Sequence, residues 1–258
     1  MMTTSTRGDS RMQQELARTR QFFDKTRPAG GPNSSAVQEY VFAVIAGLIP
    51  AGQADSRAVD VGCHWGRYTK WIARTYGTVT GIDISEKAIA SAEKAENISY
   101  FTMDLNSPQA DWSRLAPTDF FFVNAVFEML ADPAQVCRRL AGCGTQELRI
   151  LAVIPNRRSL NYVTFRLALW IVTRLRRKSG GIYNNGITLP RLVAALEAAG
   201  FVVEKKGAVV GVPVYLLSLL PTPLQKALLK LDAPLRCLIG GSYHWVLAQK
   251  APPNGERG

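Results

Sequence analysis

The stretch DVGCHWGRYTKW, Asp60 to Trp71, joins a strand-like apolar run to a helix-like run through a turn with two glycines. The glycines, Gly62 and Gly66, have the spacing GxxxG. A strand, such a turn and a helix place backbone N–H groups around whatever binds at the turn. A dinucleotide-binding loop would have the spacing GxGxxG, and its middle glycine is His64 here, which argues against that class of site.

The rest of the chain alternates short apolar runs with helical patterns. The strand-like runs are RAVDVG, TVTGIDI, ISYFTM, DFFFVNAV, LRILAVI, FVVEKKGAVVGV and SYHWVLAQK. Helical patterns separate the first five runs, so we expect crossover connections and a largely parallel sheet. The sequence therefore predicts an α/β, Rossmann-like fold with a seven-stranded, mostly parallel sheet that helices cover on both faces, plus a helical lid insertion.

Changes in amino-acid composition along the chain predict how it is divided into segments. Residues 1–33 are expected to form a polar arm, residues 34–250 one domain with a basic and apolar insertion at 156–187, and residues 251–258 a disordered tail. The N-terminus lacks the apolar run of a secretory signal, so a cytoplasmic location is expected. Four cysteines without paired spacing predict reduced thiols and neither a metal site nor a disulfide framework.

Three helix boundaries are also predicted. Ser35 and Gln38 have the spacing of a capping box. Thr188 is placed to cap a later helix and Gly200 to stop it. A further helix is expected at 222–231.

Acidic residues end the first three predicted strands. Asp83 follows Asp60 by 23 positions, where a carboxylate can accept hydrogen bonds from both hydroxyls of a ribose, and Asp104 ends the next strand. Strand ends of this kind lie on one edge of a parallel sheet, the edge that binds ligands. The alternative is that Asp60 and Asp104 only initiate turns.

With these motifs the sequence resembles the class I S-adenosylmethionine-dependent methyltransferases, in particular their small-molecule branch with a DxGxGxG first motif. The similarity covers residues 35–250 and is carried by AVDVGCHWGRYTKWIA, GIDIS, FTMDL, VNAVFEMLADP, LRILAVIPN and ITLPRLVAALEAAGFVVE. It implies S-adenosylmethionine as the cofactor, held at the strand-end edge.

The resemblance also implies a role for each site residue. The loop would approach the methionine portion of the cofactor, Asp60 would hold its ammonium group directly or through water, and Asp83 would bind the ribose. Asp104 would accept from the adenine amino group between two apolar side chains, and the backbone around Asn124 would close the site near the sulfonium. The implied cofactor-binding residues are Asp60, Gly62, Cys63, His64, Gly66, Asp83, Ile84, Met103, Asp104 and Asn124.

Two departures from the family pattern bear on catalysis. His64 replaces the central glycine, which is sterically acceptable at a negative φ, and Met129 replaces a histidine that is frequent in the family. The candidate bases are therefore His64, Glu128 and His244, with Tyr68 also near the predicted site edge. His64 either fills the place of a glycine or reaches the cofactor carboxylate or the acceptor. The acceptor atom is left open among oxygen, nitrogen and carbon, with oxygen favoured.

The amino-acid composition of the insertion at 156–187 indicates which class of acceptor the protein uses. It carries seven arginine or lysine residues and no acidic residue between Pro155 and Gly186. Its apolar run at 160–172 is shorter than the roughly 20 residues that span a bilayer. The pattern suits an interfacial helix or a lid, and the second apolar stretch, VPVYLLSLLPTPLQKALLKL, could join it. We expect a small apolar or lipid-like acceptor, with peripheral membrane contact through 157–178.

Two other functions stay open. A basic chain of net charge +11 suits nucleic acid, but NAVF replaces the [DNS]PP[YF] motif of base-amino methylation, and RNP1 is absent. Nucleic acid is therefore disfavoured as a partner. A non-catalytic, cofactor-binding protein at a membrane surface is the other alternative, and His64 and Met129 favour it. The oligomeric state is not predicted.

Overall fold

The computed structural model describes residues 18–19, 35–164, 166 and 184–252. Most of the predicted arm, the central part of the insertion and the end of the predicted tail lie outside the described residues. No described helix is both long enough and apolar enough to cross a membrane.

Seven strands form one sheet. They are β1 (Arg57–Val61), β2 (Thr78–Asp83), β3 (Ile98–Thr102), β4 (Thr118–Asn124), β5 (Gly144–Pro155), β6 (Phe201–Val209) and β7 (Tyr243–Lys250). Their order is β3-β2-β1-β4-β5-β7-β6. The first five strands pair in parallel, and β7 runs antiparallel to both β5 and β6. The predicted fold class, with seven strands in a mostly parallel sheet, is confirmed.

The central strand β4 shows why the sheet needs helices on both faces. Phe120, Phe121 and Phe122 are each at most 1% exposed although their side chains alternate in direction. Phe121 packs in one apolar cluster with Leu140, whereas Phe120 and Phe122 pack in a second with Ile72. Continuous apolar runs are typical of strands buried on both sides.

Residues 160–164 of the predicted insertion are helical, and eight further helices accompany the sheet. They are α1 (Ala36–Ala46), α2 (Arg67–Ile72), α3 (Glu86–Ser91), α4 (Pro133–Cys143), α5 (Leu189–Ala198), α6 (Val214–Leu217), α7 (Thr222–Leu229) and α8 (Asp232–Ile239). Single 3-10 turns lie at Trp112–Leu115 and Phe127–Met129.

The predicted helix boundaries are met to different degrees. The capping box of α1 forms, because Gln38 N donates to Ser35 Oγ over 3.3 Å and Ser35 N donates to Gln38 Oε1 over 3.2 Å. Thr188 precedes α5 as predicted, but its side chain makes no capping hydrogen bond. Gly200 follows α5 with a φ of 89°.

The helix predicted at 222–231 corresponds to α7, which ends at Leu229. A second helix that was not predicted, α8, follows it and ends at Ile239. The side chain of Asp232, at the start of α8, accepts hydrogen bonds from the backbone N–H groups of Gly211 and Val212 over 2.6 and 3.1 Å. These long-range bonds hold the helix junction against the loop after β6, and no local sequence pattern predicts them.

Candidate active site

A cavity of about 650 Å³ lies where the carboxyl ends of β1 to β4 meet. This volume is within the range of small-ligand sites. Eight of the ten predicted cofactor-binding residues line it: Gly62, Cys63, His64, Asp83, Ile84, Met103, Asp104 and Asn124. The structure thus brings together residues that lie as much as 62 positions apart in the sequence, from Gly62 to Asn124.

The loop after β1 is shaped by three residues with positive φ. Gly62, His64 and Gly66 have φ values of 74°, 50° and 78°. A Cβ atom on Gly62 would lie 2.3 Å from Val126 Cγ2, and one on Gly66 would lie 2.2 Å from the Tyr100 hydroxyl oxygen. Both positions therefore need glycine for space as well as for conformation. Gly66 itself supports the loop from outside the cavity wall.

His64 does not have the negative φ at which a non-glycine residue is sterically acceptable in the loop. Its backbone adopts the left-handed conformation, which histidine enters more readily than most residues. The backbone N–H of His64 donates to Asp83 Oδ2 over 2.8 Å, and its imidazole packs edge-on against the Trp65 ring with the centroids 5.2 Å apart. These contacts hold a strained residue in the cavity wall, a pattern that is common at functional sites.

The carboxylate of Asp83 is oriented by the backbone. Its Oδ2 accepts from His64 N, and its Oδ1 accepts from Ser85 N over 2.8 Å. Each carboxylate oxygen has a second lone pair, so both can still accept from a ligand. Burial raises the pKa of Asp83, and the backbone donors oppose that shift. The geometry suits a pair of neighbouring hydroxyl groups.

Asp60 lies beneath the loop, outside the cavity wall. It is 2% exposed, and Thr69 Oγ1 donates to its Oδ2 over 2.6 Å. Burial raises the pKa of Asp60 to about 7, although the Thr69 hydroxyl opposes the shift. From this position a contact with a ligand ammonium group would need a bridging water.

A turn after β3 supports the far end of the cavity. Asp104 Oδ1 accepts from Asn106 N over 2.9 Å, and Asn106 Oδ1 accepts from Ala131 N over 2.7 Å. Asn106 lines the cavity together with Ile84 and Met103. The sequence analysis missed Asn106, although an Asp-x-Asn turn directly after a strand was a usable signal.

The candidate bases lie in different environments. His64 and Tyr68 line the cavity. Burial lowers the pKa of His64, which favours its neutral form, and burial raises the pKa of Tyr68. His244 lies on β7 outside the cavity wall.

Glu128 also lies outside the cavity wall. It is 4% exposed, and burial raises its pKa to about 7. Within the described part of the chain, its Oε2 has no hydrogen-bond partner. Of the three predicted bases His64, Glu128 and His244, His64 therefore lies in the cavity wall, where Tyr68 also lies.

The other half of the cavity is built by elements that the sequence analysis did not assign to the site. Apolar side chains of α1 and α6 line it, with Tyr68 of α2 and Tyr243 of β7. Thr19, from the predicted arm, also lines the cavity and is 4% exposed. The arm residue therefore belongs to the site rather than to a separate appendage.

Two polar side chains in this wall bear on what can bind. Arg67 donates to Glu39 Oε2 over 2.5 Å, and its guanidinium carbon lies 3.9 Å from the centroid of the Phe42 ring. The buried Trp65 Nε1 has no hydrogen-bond partner among the described residues. Because an unpartnered buried donor is unfavourable, the indole N–H fits a ligand acceptor such as a carboxylate.

The comparisons with known proteins agree with this arrangement. A family model described as a methyltransferase domain matches residues 59–147, which include the loop and the ends of β1 to β4. A trans-aconitate 2-methyltransferase from Rhizobium etli is 35% identical over 100 residues, which are 38% of this chain and 37% of that protein. The match thus spans little more than a third of the length of that curated relative.

Solved structures show the same fold over most of the chain. An S-adenosylmethionine-dependent methyltransferase from Mesorhizobium loti has a TM-score of 0.59 at 17% identity and covers 82% of this chain and 98% of its own. Geranyl diphosphate C-methyltransferase from Streptomyces coelicolor A3(2), solved with Mg²⁺, geranyl diphosphate and S-adenosyl-L-homocysteine, has a TM-score of 0.59 at 13% identity. It covers 92% of this chain and 97% of its own. Residues 59–147 thus match a methyltransferase domain, and most of the chain has the fold of solved S-adenosylmethionine-dependent methyltransferases.

Proposed function

We propose that this protein transfers a methyl group from S-adenosylmethionine to a hydroxyl group of a small apolar acceptor. The observation that carries the proposal is the two-sided cavity, in which strand-end residues suited to the cofactor face apolar side chains of α1 and α6. S-adenosylmethionine supplies, when bound, a methyl group on a positively charged sulfur. Alignment of the two reactants in one cavity is then the main contribution of the protein.

Each cavity residue has a role in cofactor binding that depends on its position in the cavity. Asp83 accepts hydrogen bonds from the two ribose hydroxyls with the lone pairs that His64 N and Ser85 N leave unused. Ile84 and Met103 offer apolar surface to the adenine ring, and Asp104 accepts from its amino group. The resemblance to class I methyltransferases implies these roles, and the position of all four residues in the cavity wall supports them.

His64 is the side chain best placed to accept the proton of the acceptor hydroxyl. It lies in the cavity wall, and burial lowers its pKa, so the neutral imidazole is available as a base. Asp83 and the loop after β1 would hold S-adenosylmethionine in the cavity, and the cofactor would supply the methyl group to the acceptor oxygen. The hydroxyl proton passes to His64.

The wall disfavours an acceptor with several carboxylates. Among the described lining residues, Arg67 is the single arginine or lysine, and Glu39 already accepts from its guanidinium. A tricarboxylate would require desolvation of three negative charges against mostly apolar side chains. This is why we propose a different acceptor class from that in the name of the Rhizobium etli relative.

An assay with isotopically labelled cofactor tests both parts of the proposal. We expect label to pass to an apolar phenol such as an isoprenoid quinol, and not to trans-aconitate. Calorimetry with S-adenosylmethionine and S-adenosylhomocysteine should show binding of both. Transfer to trans-aconitate at an equal or higher rate would contradict the acceptor class. Cofactor binding without transfer to any acceptor would favour the non-catalytic alternative.

A further inference from the structure

Large apolar side chains are exposed along the three consecutive helices α6, α7 and α8. Two of them, Leu219 and Leu238, are 81% and 80% exposed. Six of the ten exposed large hydrophobic residues in the described part of the chain lie in this segment: Leu216, Leu219, Leu224, Leu231, Leu238 and Ile239. We call residues 214–239 the rim. A concentration of this kind marks an interaction surface more often than scattered single residues do.

The rim is firmly attached to the rest of the molecule. Val214, Leu217 and Leu229 are buried in one apolar cluster with Val37 of α1. The Gln225 side chain donates to Leu220 O over 2.8 Å, and Asp232 accepts from two backbone N–H groups. The exposed leucines therefore stand on the outer side of helices whose inner side is packed, which is the pattern of an amphipathic surface.

The charges of the rim indicate which kind of surface it binds. Its basic residues are Lys226, Lys230 and Arg236, and both lysines are exposed. Its single acidic residue, Asp232, is 3% exposed and turned toward the loop after β6. The exposed charge of the rim is therefore positive, and its basic residues alternate with leucines along the sequence. Cationic and apolar side chains together complement an anionic lipid surface.

The rim and the cavity share a helix. Val214 and Ser218, at the two ends of α6, line the cavity, whereas Leu216 between them is 47% exposed. A lipid surface against the rim would therefore lie one helix away from the acceptor half of the cavity. This link to an apolar acceptor rests on the proposed function, whereas binding of the rim to lipid does not.

We propose that the rim, residues 214–239, docks this protein on an anionic membrane surface. The leucines enter the boundary between headgroups and acyl chains, and the lysines contact lipid phosphates. The contact predicted from the sequence was placed at 157–178, most of which lies outside the described residues, and the stretch at 212–231 was expected only to join it. The proposal makes the rim itself the membrane contact.

Sedimentation of the full chain with vesicles tests the proposal. We expect binding to phosphatidylcholine vesicles that contain phosphatidylglycerol, weaker binding to phosphatidylcholine alone, and release by added salt. The double variant Leu219→Gln with Leu238→Gln should bind roughly tenfold more weakly, because two apolar anchors are lost. The double variant Lys226→Gln with Lys230→Gln should bind roughly 25-fold more weakly, since each lysine near an anionic surface contributes roughly fivefold.

Matched controls lie on the edge strand β6. Val202 is 57% exposed, and Lys205 and Lys206 are also exposed. Val202→Gln and the pair Lys205→Gln with Lys206→Gln should bind vesicles like the wild type. Calorimetric binding of S-adenosylhomocysteine by every variant reports intact folding. It also separates a failure of the docking surface from a failure of the proposed function.

Three results would overturn the proposal. The first is no binding of the wild-type chain to anionic vesicles. The second is unchanged vesicle binding by both rim variants while Arg174→Gln with Arg176→Gln abolishes it, because the insertion would then be the contact. The third is self-association that the leucine variant removes in the absence of vesicle binding, because the rim would then be a protein interface.

Discussion

Asp83 is the residue on which cofactor recognition should depend most. Asp83→Ala removes the acceptor for the ribose hydroxyls, so calorimetry should show a loss of about 1.5–3 kcal/mol in the free energy of S-adenosylhomocysteine binding. Asp132→Ala is the matched control, because that aspartate caps α4 by accepting from Gln135 N over 2.9 Å, away from the cavity. Equal affinity of the wild type and Asp83→Ala would place the ribose elsewhere.

The variant His64→Gly distinguishes a structural role of this residue from a catalytic one. In His64→Gly the backbone donor to Asp83 is retained and the positive φ is relieved, so folding and cofactor affinity should stay close to wild type. Turnover should fall by about 10²- to 10⁴-fold if the imidazole is the general base. Steady-state kinetics with the acceptor measure the change, and His244→Gln, outside the cavity wall, is the control. Unchanged turnover would mean that the imidazole only occupies the place of a glycine.

At the scale of elements, Asn185 joins the end of the insertion to the turn after β4. Its Nδ2 donates to Phe127 O over 2.8 Å and to Leu130 O over 2.7 Å, and its backbone N donates to Glu128 O over 2.8 Å. The same turn carries Met129 and Leu130 into the cavity wall. Asn185 thus couples a distant segment to the shape of the site.

Asn185→Ala should therefore affect both stability and binding. Loss of the side-chain donor leaves two carbonyl groups without their partner, so the free energy of unfolding should fall by about 1–3 kcal/mol. Affinity for S-adenosylhomocysteine should fall as well, because the cavity wall loses its support. Urea denaturation and calorimetry measure the two effects. Asn184→Ala is the neighbouring control, since the hydrogen bond that the Asn184 side chain accepts comes from the nearby Gly186 N. If both variants behave alike, this coupling is absent.

At the scale of the whole molecule, buried carboxyl groups make stability depend on pH. Burial raises the pKa of Asp60 and of Glu128 to about 7, and it raises the pKa of Asp83. Each group keeps its proton in the folded chain at pH values where the unfolded chain has released it. Stability should therefore fall as the pH rises from about 4 to about 7 and then level off.

Glu128→Gln isolates one of these groups. The amide does not ionise, so the loss of unfolding free energy between pH 5 and pH 8 should be smaller by about 2 kcal/mol than in the wild type. Urea denaturation at the two pH values, without cofactor, measures the difference. The exposed Glu197→Gln should leave the wild-type difference unchanged. A Glu128→Gln variant with the wild-type pH dependence would show that Glu128 is ionised in the folded protein.

Local sequence was sufficient to predict the sheet and its ligand-binding edge. Alternating apolar runs and helical patterns identify all seven strands, because side-chain periodicity and turn residues act within a few positions. Gly62, Asp83 and Asp104 could be placed at the cavity for the same reason, since each directly follows or ends a strand. The position of Asp60 beneath the loop could not be predicted, because its bond to Thr69 depends on how α2 packs over β1.

The sequence by itself determined the fold class and the strand-end half of the cavity, since both follow from the order of strands and the residues at their ends. Tertiary structure alone decided the other half of the cavity, in which side chains of α1, α6 and β7 meet although they lie up to about 200 positions apart. It also decided that the apolar stretch at 214–239 buries one side and exposes the other. The physical reason is that a cavity wall and an exposed face are properties of packing between distant elements, and local sequence patterns do not specify that packing.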